Sequence, residues 1–173
     1  ILYLGNKLSS HGFSPTSVEL LAPRISRLGF KVVTKSSFKN QLLRLLDMLF
    51  AIIKYRRAQP VVVIDTYSTS AYWYAVAAGM LCAFLKLNYI PVLRGGNLPS
   101  RIDESSKSAN KIFRKSYANI AVSGYMHYEF EKRGHPVKII HNNIDISLYP
   151  FRHRKNIRPS LLWVRSFHAI YNP

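Results

Sequence analysis

Three loops carry residue types that could bind or act on a polar ligand, and each follows a short apolar segment. Asp65 comes directly after the run Val-Val-Val-Ile at residues 61–64. Its carboxylate could act as a general base or cap the next helix, and we favour the cap because a single carboxylate carries little information. The loop after the segment at residues 89–93 combines a cation, two glycines and an amide, which suits a phosphate or a sugar hydroxyl. These residues are Arg94, Gly95, Gly96 and Asn97.

The loop at residues 5–14 joins a predicted strand to a predicted helix, whose free N–H groups could hold an anion. Gly12 would let the backbone approach a ligand, and His11 and Phe13 flank it as further candidate contacts. The loop matches neither the GxGxxG nor the GxxxxGK[ST] pattern, which disfavours a dinucleotide-binding protein or a P-loop NTPase. A plain tight turn stays an alternative for this loop and for residues 94–97.

Histidine and cysteine spacing gives no sign of a metal site or of a nucleophile. The six histidines form no HExxH motif or Cys/His cluster, and no GxSxG elbow is present. We therefore expect no metal and no cofactor. His127 and His135 fall on or after a helix and are expected at the surface, while Cys82 is expected to be a small buried hydrophobe.

Composition predicts one basic, folded domain. Of the 173 residues 48% are hydrophobic, which is enough for a core, and 25 Lys and Arg against 8 Asp and Glu give a net charge of +17. A field of that sign attracts phosphate on nucleic acid, nucleotides, lipid head groups or sugars. We expect the positive field to serve a membrane or a polyanion, with a basic, well-solvated surface as the plainer alternative. No secretory signal pattern is present.

Short apolar segments alternate with longer segments of helical period, which predicts an α/β fold. We expect a Rossmann-like parallel sheet with helices on both faces, and ligands beyond the carboxyl ends of its strands. Helix signals include a capping box at Thr16 and Glu19, and Pro23 should bend that helix or shift its start. The predicted strands are residues 1–4, 31–34, 61–64, 89–93, 119–122, 137–140 and 160–164, and helices are predicted from Thr16 and at residues 38–55, 69–87, 105–116 and 123–134.

Two helical segments are apolar enough to raise the question of a membrane. The segment at residues 71–87 is shorter than the ~20 residues that span a bilayer, so we expect a buried helix. The segment at residues 38–55 has one narrow polar stripe, and we favour core packing over contact with a membrane interface. That stripe consists of Asn40, Arg44, Asp47, Ala51 and Lys54.

The order of segments resembles the N-terminal domain of the group 4 retaining glycosyltransferases, which have the GT-B fold. The family pattern is a strand ending in Ser, a helix closing at Gly, a second strand, then Asn-Gly-Val-Asp and a Phe. Here Ser123 ends the segment Ile-Ala-Val and is predicted to cap the helix that follows, which closes at Gly134. Residues 142–145 read Asn-Asn-Ile-Asp, with Asn143 in the place of the family's Gly, and Phe151 follows.

The resemblance implies an acceptor-side Rossmann-like domain at residues 1–150. Residues 151–173 would be a linker and the first strand of a nucleotide-sugar-binding domain, where the family's Gly-Arg is replaced by Arg165-Ser166. The chain lacks an initiator Met and ends before the family's Glu-rich donor motif, so we expect an inactive fragment. The family's His after the fourth strand is also absent, so no catalytic residue is assigned. The candidate substrate-binding residues are His11, Gly12, Phe13, Asp65, Arg94, Gly95, Gly96, Asn97, Ser123, Asn142 and Arg165, with Asn142 also expected to shape the hinge.

The implied enzyme is a hexosyltransferase that uses a nucleotide sugar and a lipid-linked or cell-envelope glycan acceptor. The net charge and the apolar segment at residues 38–55 add an anionic membrane surface as a partner, in the cytoplasm or on the inner face of the plasma membrane. A basic nucleic-acid-binding α/β domain and a non-catalytic membrane-surface module are the alternatives. We expect no nucleic acid partner, because the tyrosines alternate with apolar residues in predicted core segments.

Overall fold

The structure is a computed structural model that describes residues 1–142, 144, 146–151 and 153. The chain divides into two compact units, Ile1–Asn142 and Asn143–Pro173. The described part of the second unit contains a 3-10 turn, Ile146–Leu148. The predicted strand at residues 160–164 and Arg165 lie outside the described residues, so the predicted division after residue 150 stays a prediction.

Residues 1–142 are all described, and in them six α-helices connect six parallel strands, with two of the helices in one connection. This confirms the predicted α/β, Rossmann-like class. The strands are β1 (Leu2–Leu4), β2 (Val33–Lys35), β3 (Val62–Thr66), β4 (Tyr89–Leu93), β5 (Ile120–Ala121) and β6 (Lys138–Ile139). The helices are α1 (Ser17–Arg27), α2 (Gln41–Tyr55), α3 (Tyr72–Phe84), α4 (Leu98–Glu104), α5 (Ser106–Phe113) and α6 (Gly124–Lys132).

The sheet order places a topological switch point beside β1. The strands lie in the order β2-β1-β3-β4-β5-β6, and all neighbouring pairs are parallel. Because β1 pairs with β2 on one side and with β3 on the other, the chain reverses its course across the sheet between β1 and β3. In open parallel sheets ligands bind beyond the carboxyl ends of the strands at such a reversal.

Helices cover both faces of the sheet, as predicted. On one face α1 packs through Val18 and Ala22 against Tyr3 of β1. On the other face α2 and α3 enclose the larger core, which takes Leu2, Leu4 and the matching residues of β3. Side chains alternate between faces along a strand. Since Val63 lies on the α1 side, Asp65, two residues further on, lies on that side too.

The start of α1 follows the predicted capping signal. The Glu19 carboxylate accepts a hydrogen bond from the Thr16 N–H at 2.9 Å, which satisfies a donor that the helix itself leaves unpaired. Pro23 lies inside α1, and the helix continues past it to Arg27. The proline therefore does not end the element.

Helix α2 begins at Gln41, three residues later than predicted. The Asn40 side chain accepts hydrogen bonds from the N–H groups of Leu42 at 2.9 Å and Leu43 at 3.1 Å. Asn40 is therefore the N-cap rather than an interior residue of the helix. Residues 38 and 39 stay in the loop, where their carbonyl groups are free to accept bonds from elsewhere.

Residues 98–113 form two helices where a single polar helix at residues 105–116 was predicted. The first, α4, has Pro99 in its opening turn, a position where the missing N–H costs nothing. Leu98 and Ile102 of α4 are both buried in the core that also receives α5. Their spacing of four residues is a helical signal, but the Gly-Gly-Asn sequence just before it is typical of a loop, so the helix was missed.

The prediction that the apolar segment at residues 38–55 packs in the core is wrong for one side of α2. Its inner side, with Met48, Ala51 and Ile52, is buried against the sheet and α3. The outer side is exposed over the whole helix because no other described element lies against it. We call these residues the α2 apolar face: Leu42, Leu43, Leu46, Phe50 and Ile53.

Arg44, which was predicted to lie on the polar stripe of α2, is instead buried. Its guanidinium donates to the carbonyl oxygens of Phe38 at 2.8 Å and Lys39 at 2.9 Å, and to the side-chain oxygen of Asn6 at 3.1 Å. These three acceptors replace the water that the cation loses on burial. Arg44 thus ties the loop after β2 to the loop after β1.

The prediction of a buried helix within residues 71–87 is confirmed for the inner side of α3, whereas Trp73, Met80 and Phe84 on its outer side are exposed. Ala75, Ala78 and Cys82 are part of the main core. Burial raises the pKa of the Cys82 thiol to about 12, as expected for a small hydrophobic residue. In the part of the chain that the structure describes, no helix has the length and apolar character needed to cross a membrane.

His135 is buried, which contradicts its predicted surface position. Its ring lies 5.5 Å from that of Phe113 and 6.1 Å from that of Phe130, and the residue is 2% exposed. Gly134 has a φ of +73° and turns the chain from the end of α6 back towards β6. That turn carries the residue after the helix into the core instead of out into the solvent.

Candidate functional site

An ion pair lies at the carboxyl edge of the sheet beside the switch point. Asp65 is near the end of β3, and Arg94 follows β4, the neighbouring strand. The Arg94 Nε–H donates to Asp65 Oδ1 at 2.7 Å, a distance typical of a charged pair. The Asp65 side chain is fully buried and that of Arg94 is 11% exposed. Asp65 therefore does not cap α3, and that prediction is wrong.

Two tyrosines complete the surroundings of the Asp65 carboxylate. The Tyr3 hydroxyl donates to Oδ1 at 3.1 Å, and the Tyr67 hydroxyl lies 3.5 Å from Oδ2. Gly5, just after β1, makes room for this carboxylate, since a Cβ at this position would lie 2.9 Å from Asp65 Oδ2. A side chain at Gly5 would therefore require the Asp65 carboxylate or Val18 to shift. The carboxyl ends of β1, β3 and β4 thus meet in one polar group.

Asn142 joins the group from the loop after β6. Its side-chain oxygen accepts a bond from Arg94 Nη1 at 2.7 Å. The Arg94 Nη2 is 3.4 Å from the Tyr3 hydroxyl. Three of the predicted site residues, Asp65, Arg94 and Asn142, are therefore brought together. We call these three residues with Tyr3 and Tyr67 the Arg94 cluster.

Burial controls the electrostatics of the Arg94 cluster. It raises the pKa of the Asp65 carboxyl, and the Arg94 charge and the hydroxyl donors oppose that rise. Burial lowers the pKa of Arg94, but the Asp65 carboxylate outweighs this effect and raises it above the ordinary value. Burial and the Asp65 charge also raise the pKa values of Tyr3 and Tyr67, so both phenols stay protonated. The cluster is a paired cation and anion with neutral donors around them.

The Arg94 cluster is equipped to bind a hydroxyl group or one anionic oxygen. A guanidinium has five N–H donors, and three of those of Arg94 have the partners named above. Among the described residues the other two N–H groups have no partner. Because Asp65 neutralises the cation, the cluster offers hydrogen bonds rather than net positive charge. That chemistry favours a sugar hydroxyl over a diphosphate.

The two glycines after Arg94 have different surroundings. Gly95 has a φ of +101°, and a Cβ at this residue would lie 3.2 Å from the Ser68 hydroxyl oxygen. At Gly96 no atom lies within 4 Å of the position that a Cβ would take, so the backbone there is open. Asn97 precedes α4, and its side chain makes no capping bond to that helix.

The first loop lies apart from the Arg94 cluster in its hydrogen bonding. His11 Nε2 is 2.9 Å from the carbonyl oxygen of Ser37, which belongs to the loop after β2 at the edge of the sheet. Gly12 has a φ of +83° and ends a short 3-10 turn, and Phe13 is exposed. No described hydrogen bond joins His11, Gly12 or Phe13 to Asp65 or Arg94.

Ser123 has a structural role in the described contacts. Its hydroxyl oxygen accepts a bond from the Met126 N–H at 3.3 Å and caps α6, as predicted. Arg165 lies outside the described residues. Sequence reasoning missed Tyr3, Tyr67 and Gly5, although each is within two residues of a strand's carboxyl end. An aromatic hydroxyl in an otherwise aliphatic strand is the signal that could have identified Tyr3.

A cavity of about 490 Å³ lies at the other end of the strands from the Arg94 cluster, beside β5 and β6. It is lined by Tyr117 and Asn119 before β5 and by Lys138 at the start of β6, among others. Asn119 supports this region structurally, since its amide donates to the carbonyl oxygens of Phe113 and Pro136, each at 3.0 Å. These are amino ends of strands, where parallel sheets seldom bind ligands.

Comparisons with known proteins place no further constraint on this site. No protein-family model, no curated protein and no solved structure matches the chain. The function of the chain therefore has to be inferred from the geometry of the Arg94 cluster and from the residues of the sequence.

Proposed function

We propose that residues 1–142 form the acceptor-side domain of a GT-B glycosyltransferase of group 4. Such an enzyme would transfer a hexose from a nucleotide sugar to a lipid-linked or cell-envelope glycan, on the cytoplasmic side of a membrane. The observation that carries the proposal is the position of the Arg94 cluster at the β1/β3 switch point. The resemblance of the segment order to that family supplies the reaction class.

The charge state of the cluster favours the acceptor over the donor as its ligand. A nucleotide sugar brings a diphosphate, which needs uncompensated positive charge or free helix N-termini. Arg94 is instead neutralised by Asp65 at 2.7 Å and has two N–H groups left among the described residues. These N–H groups and the open backbone at Gly96 would orient a sugar hydroxyl.

In such an enzyme the domain contributes orientation rather than a covalent step. Holding the acceptor hydroxyl in a fixed position converts a bimolecular encounter into a reaction within one complex. The second Rossmann-like domain of a GT-B enzyme would bind the nucleotide sugar and stabilise the leaving diphosphate. The activity is therefore a property of the whole enzyme, and the test uses the complete reading frame.

The first experiment measures hydrolysis and transfer with UDP- and GDP-sugars. It compares the complete open reading frame that contains this segment with the 173-residue chain. We expect turnover by the long form alone. If the long form neither binds nor turns over any nucleotide sugar, the transferase proposal fails. Salt-dependent binding to nucleic acid then becomes the next hypothesis, because the net charge is +17.

A second experiment tests the role of Arg94 in the long form. Arg94→Lys keeps the positive charge but loses the planar set of donors, so the acceptor KM should rise about tenfold or more. The donor KM should stay nearly unchanged. The matched control is Arg133→Lys, because Arg133 is also ion-paired, to Asp103 at 2.6 Å, but lies on the surface near α6. An equal effect of both substitutions, or a change confined to the donor KM, would contradict the acceptor assignment.

A further inference from the structure

The α2 apolar face is a continuous hydrophobic stripe with no described element against it. Phe50 is 62% exposed and Leu42 is 64% exposed, and the other three members are at least 43% exposed. They recur every three or four residues, the spacing of one side of a helix. At 1.5 Å per residue the stripe runs for roughly 17 Å along α2. Single exposed apolar residues are ordinary on proteins, but contiguous patches mark interaction surfaces.

Helix α3 extends this surface beside α2. The two helices pack against each other, and their inner sides share one core against the same face of the sheet. Their outer sides therefore both point away from that face. On α3 Met80 is 46% exposed and Phe84 is 82% exposed. The helix α3 contains no charged residue from Tyr72 to Phe84.

Exposed cations lie at one end of this surface. Because α2 and α3 both connect parallel strands, they run in the same direction and end at the same edge of the sheet. Lys54, Arg56 and Arg57 are exposed at the end of α2, and Lys86 is exposed just after α3. Together they form a positive border beside the apolar residues.

Acidic side chains do not offset that border. Between Glu19 and Asp103 the sequence contains two acidic residues, Asp47 and Asp65. Asp47 is paired with Lys35 at 3.0 Å and Asp65 with Arg94 at 2.7 Å. The surface thus combines apolar side chains with cations and has no unpaired carboxylate on α2 or α3.

We infer that the α2 apolar face and the adjoining end of α3 dock onto the surface of an anionic lipid bilayer. The apolar side chains enter the boundary between head groups and acyl chains, and the cations lie over anionic head groups. The helices lie along the membrane and do not cross it. This inference concerns the face of the sheet covered by α2 and α3 and does not depend on the proposed transfer reaction.

The test measures co-flotation of the 173-residue chain with vesicles. One set contains phosphatidylcholine alone, and the other contains phosphatidylcholine with phosphatidylglycerol. We expect binding to the anionic set and at least about tenfold weaker binding to the neutral set. Leu46→Gln/Phe50→Gln should weaken binding to anionic vesicles about tenfold or more, since two large apolar side chains no longer enter the bilayer. Both positions are exposed, so circular dichroism should show an unchanged fold.

The matched control carries Leu20→Gln and Leu28→Gln. These leucines are 51% and 75% exposed and lie on and just after α1, on the opposite face of the sheet. We expect no change in vesicle binding. Equal losses in the control and test variants, or equal binding to both vesicle sets, would overturn the inference.

A third variant separates the charges from the apolar side chains. Lys54→Gln/Arg56→Gln/Arg57→Gln should lower anionic binding about tenfold or more while leaving the α2 apolar face intact. Sedimentation without vesicles tests a different occupant. If the chain forms a dimer that Leu46→Gln/Phe50→Gln abolishes, and vesicles do not bind, the surface is a contact between two copies and the membrane inference is wrong.

Discussion

Removing one member of the Asp65–Arg94 pair should destabilise the fold because the other charge stays buried. Arg94→Met leaves the Asp65 carboxylate, whose side chain is fully buried, without its cation. Breaking a buried pair in this way typically costs about 3–5 kcal/mol of unfolding free energy. Urea unfolding at neutral pH measures the cost. A loss near that of an exposed pair, below about 1 kcal/mol, would show that water reaches the pair in solution.

The double variant Asp65→Leu/Arg94→Met supplies the control for this prediction. It removes both charges, so neither is left without a partner. Its loss of unfolding free energy should be smaller than the sum of the losses in Asp65→Leu alone and Arg94→Met alone. The remaining cost comes from the hydroxyl of Tyr3, which loses its acceptor at 3.1 Å. Additive losses would mean that the two side chains act independently, in conflict with the 2.7 Å contact.

His135 should make the fold less stable in mild acid. Burial and the positive charges of Arg114 and Arg133 lower its pKa in the folded chain. The unfolded chain titrates near the ordinary value of about 6.5, so below that pH it binds a proton that the folded chain does not. The stability is therefore fully present above about pH 6.5 and is lost as the pH falls towards the lowered pKa.

Urea unfolding at about pH 7.5 and about pH 5.5 tests the role of His135. In His135→Phe the acid-induced loss of unfolding free energy should be smaller than in the parent chain, since a phenyl ring beside Phe113 and Phe130 does not titrate. His127→Gln is the control, because His127 lies on the outer part of α6 with its side chain 39% exposed. An unchanged pH dependence in His135→Phe would contradict the prediction.

For single residues, the sequence indicated which side chains could bind a ligand but not which side chains they contact. Asp65, Arg94 and Asn142 were candidates because polar residues follow strand-like segments, and the structure brings them together. The partnership of Asp65 with Tyr3 depends on which strands are neighbours, since 62 residues separate them. No local pattern contains that information. His135 was misplaced for a related reason, because its environment is set by α5 and α6 together.

At the scale of elements, the turn from β4 into α4 depends on Gly95. An alanine there would have to adopt a φ of +101° and place its Cβ 3.2 Å from the Ser68 hydroxyl. We expect Gly95→Ala to lower the unfolding free energy by roughly 1–2 kcal/mol. Gly96→Ala is the matched control, since its Cβ would meet no atom within 4 Å. Equal losses in urea unfolding would show that the turn tolerates both residues.

Helix and strand positions were predictable where a local signal sets them. Strand β4 has the predicted bounds, and α6 begins after Ser123 as its capping signal implies. The start of α2 was missed because Asn40 caps the helix instead of joining its polar stripe. Which side of α2 faces the core could not be predicted, since Leu and Ile occur on both sides. The answer depends on the sheet, which covers one side of α2 alone.

At the scale of the whole molecule, alternating apolar and helical segments were enough to predict the fold class. Parallel strands need helical crossovers, so the alternation itself implies the sheet. The strand order β2-β1-β3-β4-β5-β6 was not predicted, and therefore the switch point beside β1 was not predicted either. That order decides that β1, β3 and β4 contribute to one site. The proposed acceptor site could therefore be identified only from the structure, whereas the basic character of the molecule follows from its composition.

The net charge of +17 should make the stability of the whole chain depend on ionic strength. Like charges repel more strongly in the compact state than in the expanded chain, so screening should stabilise the fold. Between about 10 mM and about 150 mM salt the Debye length falls from about 30 Å to about 8 Å, and the thermal midpoint should rise. Reversing two exposed charges, Lys111→Glu and Lys115→Glu, should reduce that rise without touching the Arg94 cluster. A thermal midpoint that falls with added salt would mean that attractive pairs such as Lys35–Asp47 outweigh the general repulsion. The positive field at the surface would then be weaker than the composition implies.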